Sequence, residues 1–117
     1  MIKYFKIRAL EDAEIDLESK IFFLTISNDS SLSVDFDIFE KGEDFEKSED
    51  DPIISGYLKW DGCIQVSVNN MHICGPEDLP TLNRLIQAVF FCSKNFFEYC
   101  DYKQKEVKNI FEIENIP

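Results

Sequence analysis

Basic residues are scarce in this sequence: twelve lysines and arginines face 23 aspartates and glutamates, a formal net charge of −11. Phosphate recognition needs clustered cations. The nearest approach to a cluster is Lys3, Lys6 and Arg8 on one short stretch. Direct binding of DNA or RNA is therefore not expected, nor is adsorption to an anionic membrane. Long apolar runs are missing too. No window nears the roughly 18 apolar residues that span a bilayer, and Met1-Ile2-Lys3-Tyr4-Phe5-Lys6 lacks the apolar stretch of a secretory signal. The chain reads as cytoplasmic, which makes Cys63, Cys74, Cys92 and Cys100 reduced thiols. Glycine and proline number only four each, no linker-like tract interrupts the chain and no segment repeats. Residues 1–117 are expected to form one domain.

Motifs that carry chemistry are equally thin. There is no GxGxxG, no P-loop and no EF-hand loop: residues 43–51 are acidic but lack the ligand spacing and terminal glutamate of a calcium site. Carboxylates are abundant, yet catalytic ones need burial or a close partner to shift their pKa, and most of these lie in runs expected to be solvated. No cofactor and no enzymatic activity are expected. The one metal candidate is Cys63 with His72 and Cys74. A His-x-Cys pair on a strand shares one face, and zinc takes three or four such ligands. With no CxxC knuckle and no fourth ligand, the preferred alternative is a buried thiol pair beside a hydrogen-bonded histidine. The same residues lack the signatures of a cysteine nucleophile.

What is present is a core. Apolar residues make up 44% of the chain and include eleven phenylalanines. Residues 2–9 read as a first strand, and the all-acidic stretch Glu11 to Glu18 as a connector or frayed helix. A hairpin follows, in which Phe22, Leu24 and Ile26 alternate opposite Leu32, Val34, Phe36 and Ile38. A three-residue loop, Asn28-Asp29-Ser30, would pair Ile26 with Leu32, Leu24 with Val34 and Phe22 with Phe36. Thr25, Ser27, Ser33, Asp35 and Asp37 would then form a wet face. A second β region runs from Ile54 to Gly75 with turns at Asp61-Gly62 and Asn69-Asn70. An odd-length loop around Gly62 would align Leu58 with Ile64 and Val66. Trp60, on the face of Leu58, is expected in the core rather than at an interface.

Pro76 to Pro80 suits the start of a helix, predicted from about Leu79 to Cys100. Leu79, Leu82, Ile86, Val89, Phe96 and Cys100 form its apolar stripe, widened by Leu85, Cys92 and Tyr99. Phe91 falls among the polar residues Arg84, Gln87, Lys94, Asn95 and Glu98, which makes it an interface candidate. Val107, Ile110, Phe111 and Ile113 in the tail fit either a last helical turn or an edge strand. The expected fold class is α+β: an antiparallel sheet of five or six strands with one long C-terminal helix packed on one face.

Charge is the strongest functional signal. Five acids lie in residues 11–18 and nine in 35–51, fourteen of the 23. If the two stretches are neighbours, the fold carries one extended negative face, which can plug a basic groove and speed association with it; the competing explanation is solubility alone. The segment Gly56-Tyr57-Leu58-Lys59-Trp60-Asp61-Gly62-Cys63, with Met71-His72-Ile73-Cys74-Gly75-Pro76-Glu77-Asp78-Leu79, resembles one in small uncharacterised proteins of phages and bacteria. That resemblance implies a role in mobile-element or bacterial conflict and no catalytic residue. The expected function is a non-enzymatic inhibitor of a basic, nucleic-acid-handling protein or nucleoprotein, as in phage anti-defence (anti-CRISPR-like) proteins. Its binding residues are expected among Asp35, Asp37, Glu40, Glu43, Asp44, Glu46, Glu49, Asp50, Asp51 and Phe91. The alternatives are an immunity protein for a nuclease toxin, or an adaptor or homodimer joined through the helix and Phe91.

Overall fold

A computed structural model describes residues 2–10, 21–41, 51–69, 76, 79–97 and 107–116. Among these residues the elements follow in the order β1 (Ile2–Ala9), β2 (Ile21–Ser30), β3 (Ser33–Lys41), β4 (Ile54–Lys59), β5 (Ile64–Val68), α1 (Leu79–Cys92) and β6 (Phe111–Ile116). The strands form a single sheet of order β5-β4-β3-β2-β1-β6, antiparallel at every step. β1 to β5 is a meander, and β6 returns to pair with the other side of β1. Both readings of the tail hold in part, since Val107 is buried and helical and Phe111 to Ile116 is a strand.

Period-two alternation decides which face is core. Phe5, Ile7 and Ala9 of β1, Phe22, Leu24 and Ile26 of β2, and Val34, Phe36 and Ile38 of β3 share one side with Ile54, Leu58 and Phe111. All are buried, in one cluster with Leu85, Ala88, Val89 and Cys92 of α1 and with Phe97. Gly56 sits in this surface opposite Phe36 and Val66. A Cβ there would collide with the Gln65 carbonyl and lie 2.9 Å from Phe36 Cζ, so the ring fills the space a side chain would need.

The β2–β3 register differs from the expected one. Ile26 pairs with Phe36, Leu24 with Ile38 and Phe22 with Glu40, a shift of four residues that keeps every side chain on its face. The strands are longer than the alternation indicated, and the turn is Ser31-Leu32 rather than Asn28-Asp29-Ser30. An extra β2 residue between Ser27 and Ser30 forms a bulge opposite Val34. Ser30 Oγ accepts the Leu32 N–H at 3.2 Å, closing the turn.

The β4–β5 hairpin has the odd loop expected. Lys59 N–H donates to the Cys63 carbonyl, leaving Trp60-Asp61-Gly62 as the loop, and Leu58 pairs with Ile64. Gly62 supplies the positive φ of 90° this turn requires. Trp60 is not core, however: it is 60% exposed. It shares the parity of Leu58 but stands beyond the last ladder pair, where no strand remains to cover it.

The helix is shorter than predicted, ending at Cys92 rather than Cys100. Ser93 is buried, and its Oγ donates to the Val89 carbonyl at 2.8 Å; the next N–H, of Lys94, donates to the Phe91 carbonyl three residues back, so the bonding tightens where the helix ends. The Ser93 N–H is shared between the Val89 and Phe90 carbonyls, and Phe96 and Phe97 N–H both donate to the Ser93 carbonyl. The chain thus turns, and Phe97 enters the core. The buried stripe is Thr81, Leu85, Ala88, Val89 and Cys92, whereas Leu79 is half exposed. Small residues, Thr81 and Ala88, therefore occupy part of the helix surface assigned in the sequence to larger ones. Among the described residues no helix is long and apolar enough to cross a membrane.

Candidate functional site at the acidic end of the sheet

The meander sorts its connections by end. β1 finishes, β2 starts, β3 finishes and β4 starts at the same end of the sheet, where Arg8 pairs with Ile21 and Ile21 with Lys41. The connections 11–20 and 42–50, which hold the two acidic runs, are therefore rooted on neighbouring strands. Beside them, Ile53 N–H donates to the Ile38 carbonyl at 2.8 Å and fixes the chain where it re-enters the sheet. The conformation of the runs themselves lies outside the described residues.

The anchoring strands carry apolar side chains on both faces here. Ile21 and Phe23 point away from the main core yet are each only 5% exposed. Phe23 stacks on Tyr4 with centroids 5.6 Å apart and meets Phe39 at 5.9 Å. The outward face is thus polar over only part of its area, along Thr25, Ser27, Ser33, Asp35 and Asp37. The continuous run Ile21-Phe22-Phe23-Leu24 is the sequence signal for burial on both sides.

The expected binding residues divide. Asp35 is exposed and Asp37 half-buried, both on the outward face of β3. Glu40 is exposed but has core-side parity, at the root of the acidic connection, and Asp51 is exposed where that connection ends. Glu43, Asp44, Glu46, Glu49 and Asp50 lie outside the described residues, as do the acids of 11–18. Phe91 is half-buried against the core cluster, with Lys94 Nζ 4.4 Å from its ring centre.

The N-terminal cations do not form a patch. Lys6 and Arg8 stand on the outward face directly opposite Glu114 and Glu112 of β6, and the four line a concavity of about 300 Å³. Lys3 has the opposite parity, its Nζ 5.6 Å from the Phe96 ring centre. Of the metal candidates, Cys63 is an exposed thiol in the β4–β5 loop, not a buried one; His72 and Cys74 lie outside the described residues. Among the described residues no three His, Cys, Asp or Glu side chains converge. Cys92 is buried, and loss of solvent pushes its thiol pKa well up, so the nucleophilic thiolate is disfavoured there. Asp61 Oδ1 accepts the Cys63 N–H at 3.0 Å, and that bond holds its carboxyl below the usual value.

Comparison with protein-family models, curated proteins and solved structures gave no match to this chain.

Proposed function

We propose that this protein is a non-enzymatic acidic binder that blocks a basic, nucleic-acid-handling partner, in the manner of a phage anti-defence inhibitor. The observation that carries the reading is the common rooting of both acidic runs on neighbouring strands at one sheet end. Ten acids of residues 11–18 and 43–50, flanked by Glu40 and Asp51, stand in the chain against only Lys20, Lys41 and Lys47. Such a density meets a groove that normally takes phosphates and steers encounter with it. The opposition of Lys6 and Arg8 to Glu114 and Glu112 supports the further point that nucleic acid is not itself the ligand.

Affinity capture from a phage or bacterial host at low and high salt tests this. The expected partner is a basic nucleic-acid-binding protein, released by salt, whose nucleic-acid activity the purified chain inhibits. Neutralising Glu43, Asp44, Glu46, Glu49, Asp50 and Asp51 together should abolish both capture and inhibition. Binding that survives high salt and these substitutions sinks the charge model. If the captured protein is a secreted nuclease toxin, the same surface belongs to an immunity protein.

A further inference from the structure

Five large hydrophobic side chains stand exposed among the described residues, and three of them share the end opposite the acidic connections. Leu32 caps the β2–β3 turn and Trp60 opens the β4–β5 loop, both with core-side parity and both 60% exposed, whereas Ile2, 55% exposed, begins β1 on the outward side with Lys6 and Arg8. Leu32 and Trp60 are neighbours, because Ser33 pairs with Lys59 and the Trp60 N–H donates to the Leu32 carbonyl at 2.9 Å. Both turns are held in place, one by the Ser30 hydroxyl and the other by Asp61, Gly62 and the Lys59–Cys63 bond. An apolar knob fixed before contact loses little freedom on docking, and tryptophan is the residue most enriched at interface centres.

Charge selects the occupant. The ten residues of β2 separate the two ends by about 33 Å. That exceeds three Debye lengths of about 8 Å at physiological ionic strength. The charges close to the knob are of mixed sign: Lys59 and Asp61 beside Trp60, with Lys3 and Lys94 near the same end. We propose that this end pairs with the same end of a second copy, Leu32 and Trp60 of one chain against Trp60 and Leu32 of the other. A two-fold contact requires a patch complementary to itself; an apolar knob satisfies that and an acidic run does not. The arrangement also sends the two acidic ends to opposite poles, where a charge of −11 per chain opposes association least. Two side chains per chain cover far less than the roughly 800 Å² per partner of a standard interface, so the dimer is weak and concentration-dependent. The proposal is independent of the acidic-end reading, which uses the other pole.

Trp60 is the sole tryptophan, so its emission reports the contact directly. Sedimentation and fluorescence are followed together from roughly 10 µM to roughly 1 mM protein, a range suited to weak association. The expected result is a rise from monomer to dimer mass, with a blue shift and reduced acrylamide quenching over the same concentrations. Leu32→Asp and Ile2→Asp change exposed residues and should fold as judged by circular dichroism. Leu32→Asp should weaken association by at least about tenfold, Ile2→Asp, on the other face of the sheet, should leave it unchanged, and added salt should not dissociate the wild-type dimer. A monomer throughout overturns the proposal. So does a dimer in which Trp60 stays fully quenchable, or one that Leu32→Asp leaves intact.

Discussion

The two ends of the sheet are built differently. At the acidic end, Phe22 is buried on one face, Ile21 and Phe23 on the other, and Ile53 and Ile54 close the flank. At the opposite end the strands simply stop, and Leu32 and Trp60 project past the last ladder pair. The end that carries most like charge is therefore the one gripped from both faces. Both acidic connections are rooted there, and double-sided burial of Ile21 to Leu24 anchors those roots: a fully buried aliphatic or aromatic side chain contributes about 1.5–3 kcal/mol. Leu32 and Trp60 at the other end have no such grip.

The sharpest way to break this contrast is to disturb the sheet between its ends. Gly56→Val forces a branched side chain against the Gln65 carbonyl and Phe36, and should cost about 3 kcal/mol or more or prevent folding. Gly62→Ala, at the bare end, meets nothing within 4 Å and suffers only from its positive φ, a cost of about 1–2 kcal/mol. Urea unfolding of both variants ranks them; equal losses would mean that Gly56 is not the tight point described.

A second pair of substitutions compares the ends directly. Phe23→Ala removes a ring that is 5% exposed despite its outward parity, and should destabilise by about 3 kcal/mol. Leu32→Ala removes a side chain that is 60% exposed and should change stability by less than about 0.5 kcal/mol. Measured in dilute protein, where self-association is negligible, a small effect of Phe23→Ala would show that the acidic end is not gripped from its outward side.

How far these features could be read from the sequence follows from what each depends on. β1 is legible from Phe5 to Ala9, where Phe5, Ile7 and Ala9 alternate with the outward Lys6 and Arg8; Ile2 and Lys3 break that pattern at its start. The core face of β2 and β3 is legible for the same reason, but their register is not. Alternation is unchanged by a shift of two or four residues, and the bulge at Asn28 and Asp29 leaves no mark in it. The odd loop around Gly62 is legible because a turn needing positive φ singles out glycine. Trp60 was misassigned because parity says which way a side chain points and nothing about where the cover ends. The sequence extends the helix too far because apolar spacing continues past Cys92, while the backbone bonds beyond Ser93 shift to partners three residues back, which no hydropathy pattern contains. Of the candidate site, the acids are plain in the sequence. Their shared root is not, since it depends on the meander order of four strands.

The smallest effect expected lies at Asp61, and it tests whether the bare end is held as firmly as its exposed side chains require. The Cys63 N–H bond lowers the Asp61 carboxyl below its ordinary value of 3.8. A depressed folded-state pKa adds stability above the unfolded value, and that stability is lost as the pH falls through the folded one. Asp61→Asn keeps an oxygen to accept the Cys63 N–H but carries no charge. Urea midpoints of wild type and variant should therefore differ slightly and constantly above about pH 5, then converge as the carboxyl is protonated. Asp61 is fully exposed, so the difference is small and should shrink further in high salt. A gap that is independent of pH would assign the turn to Gly62 and the backbone alone. A gap that closes on acidification shows the carboxylate bracing the loop that presents Trp60.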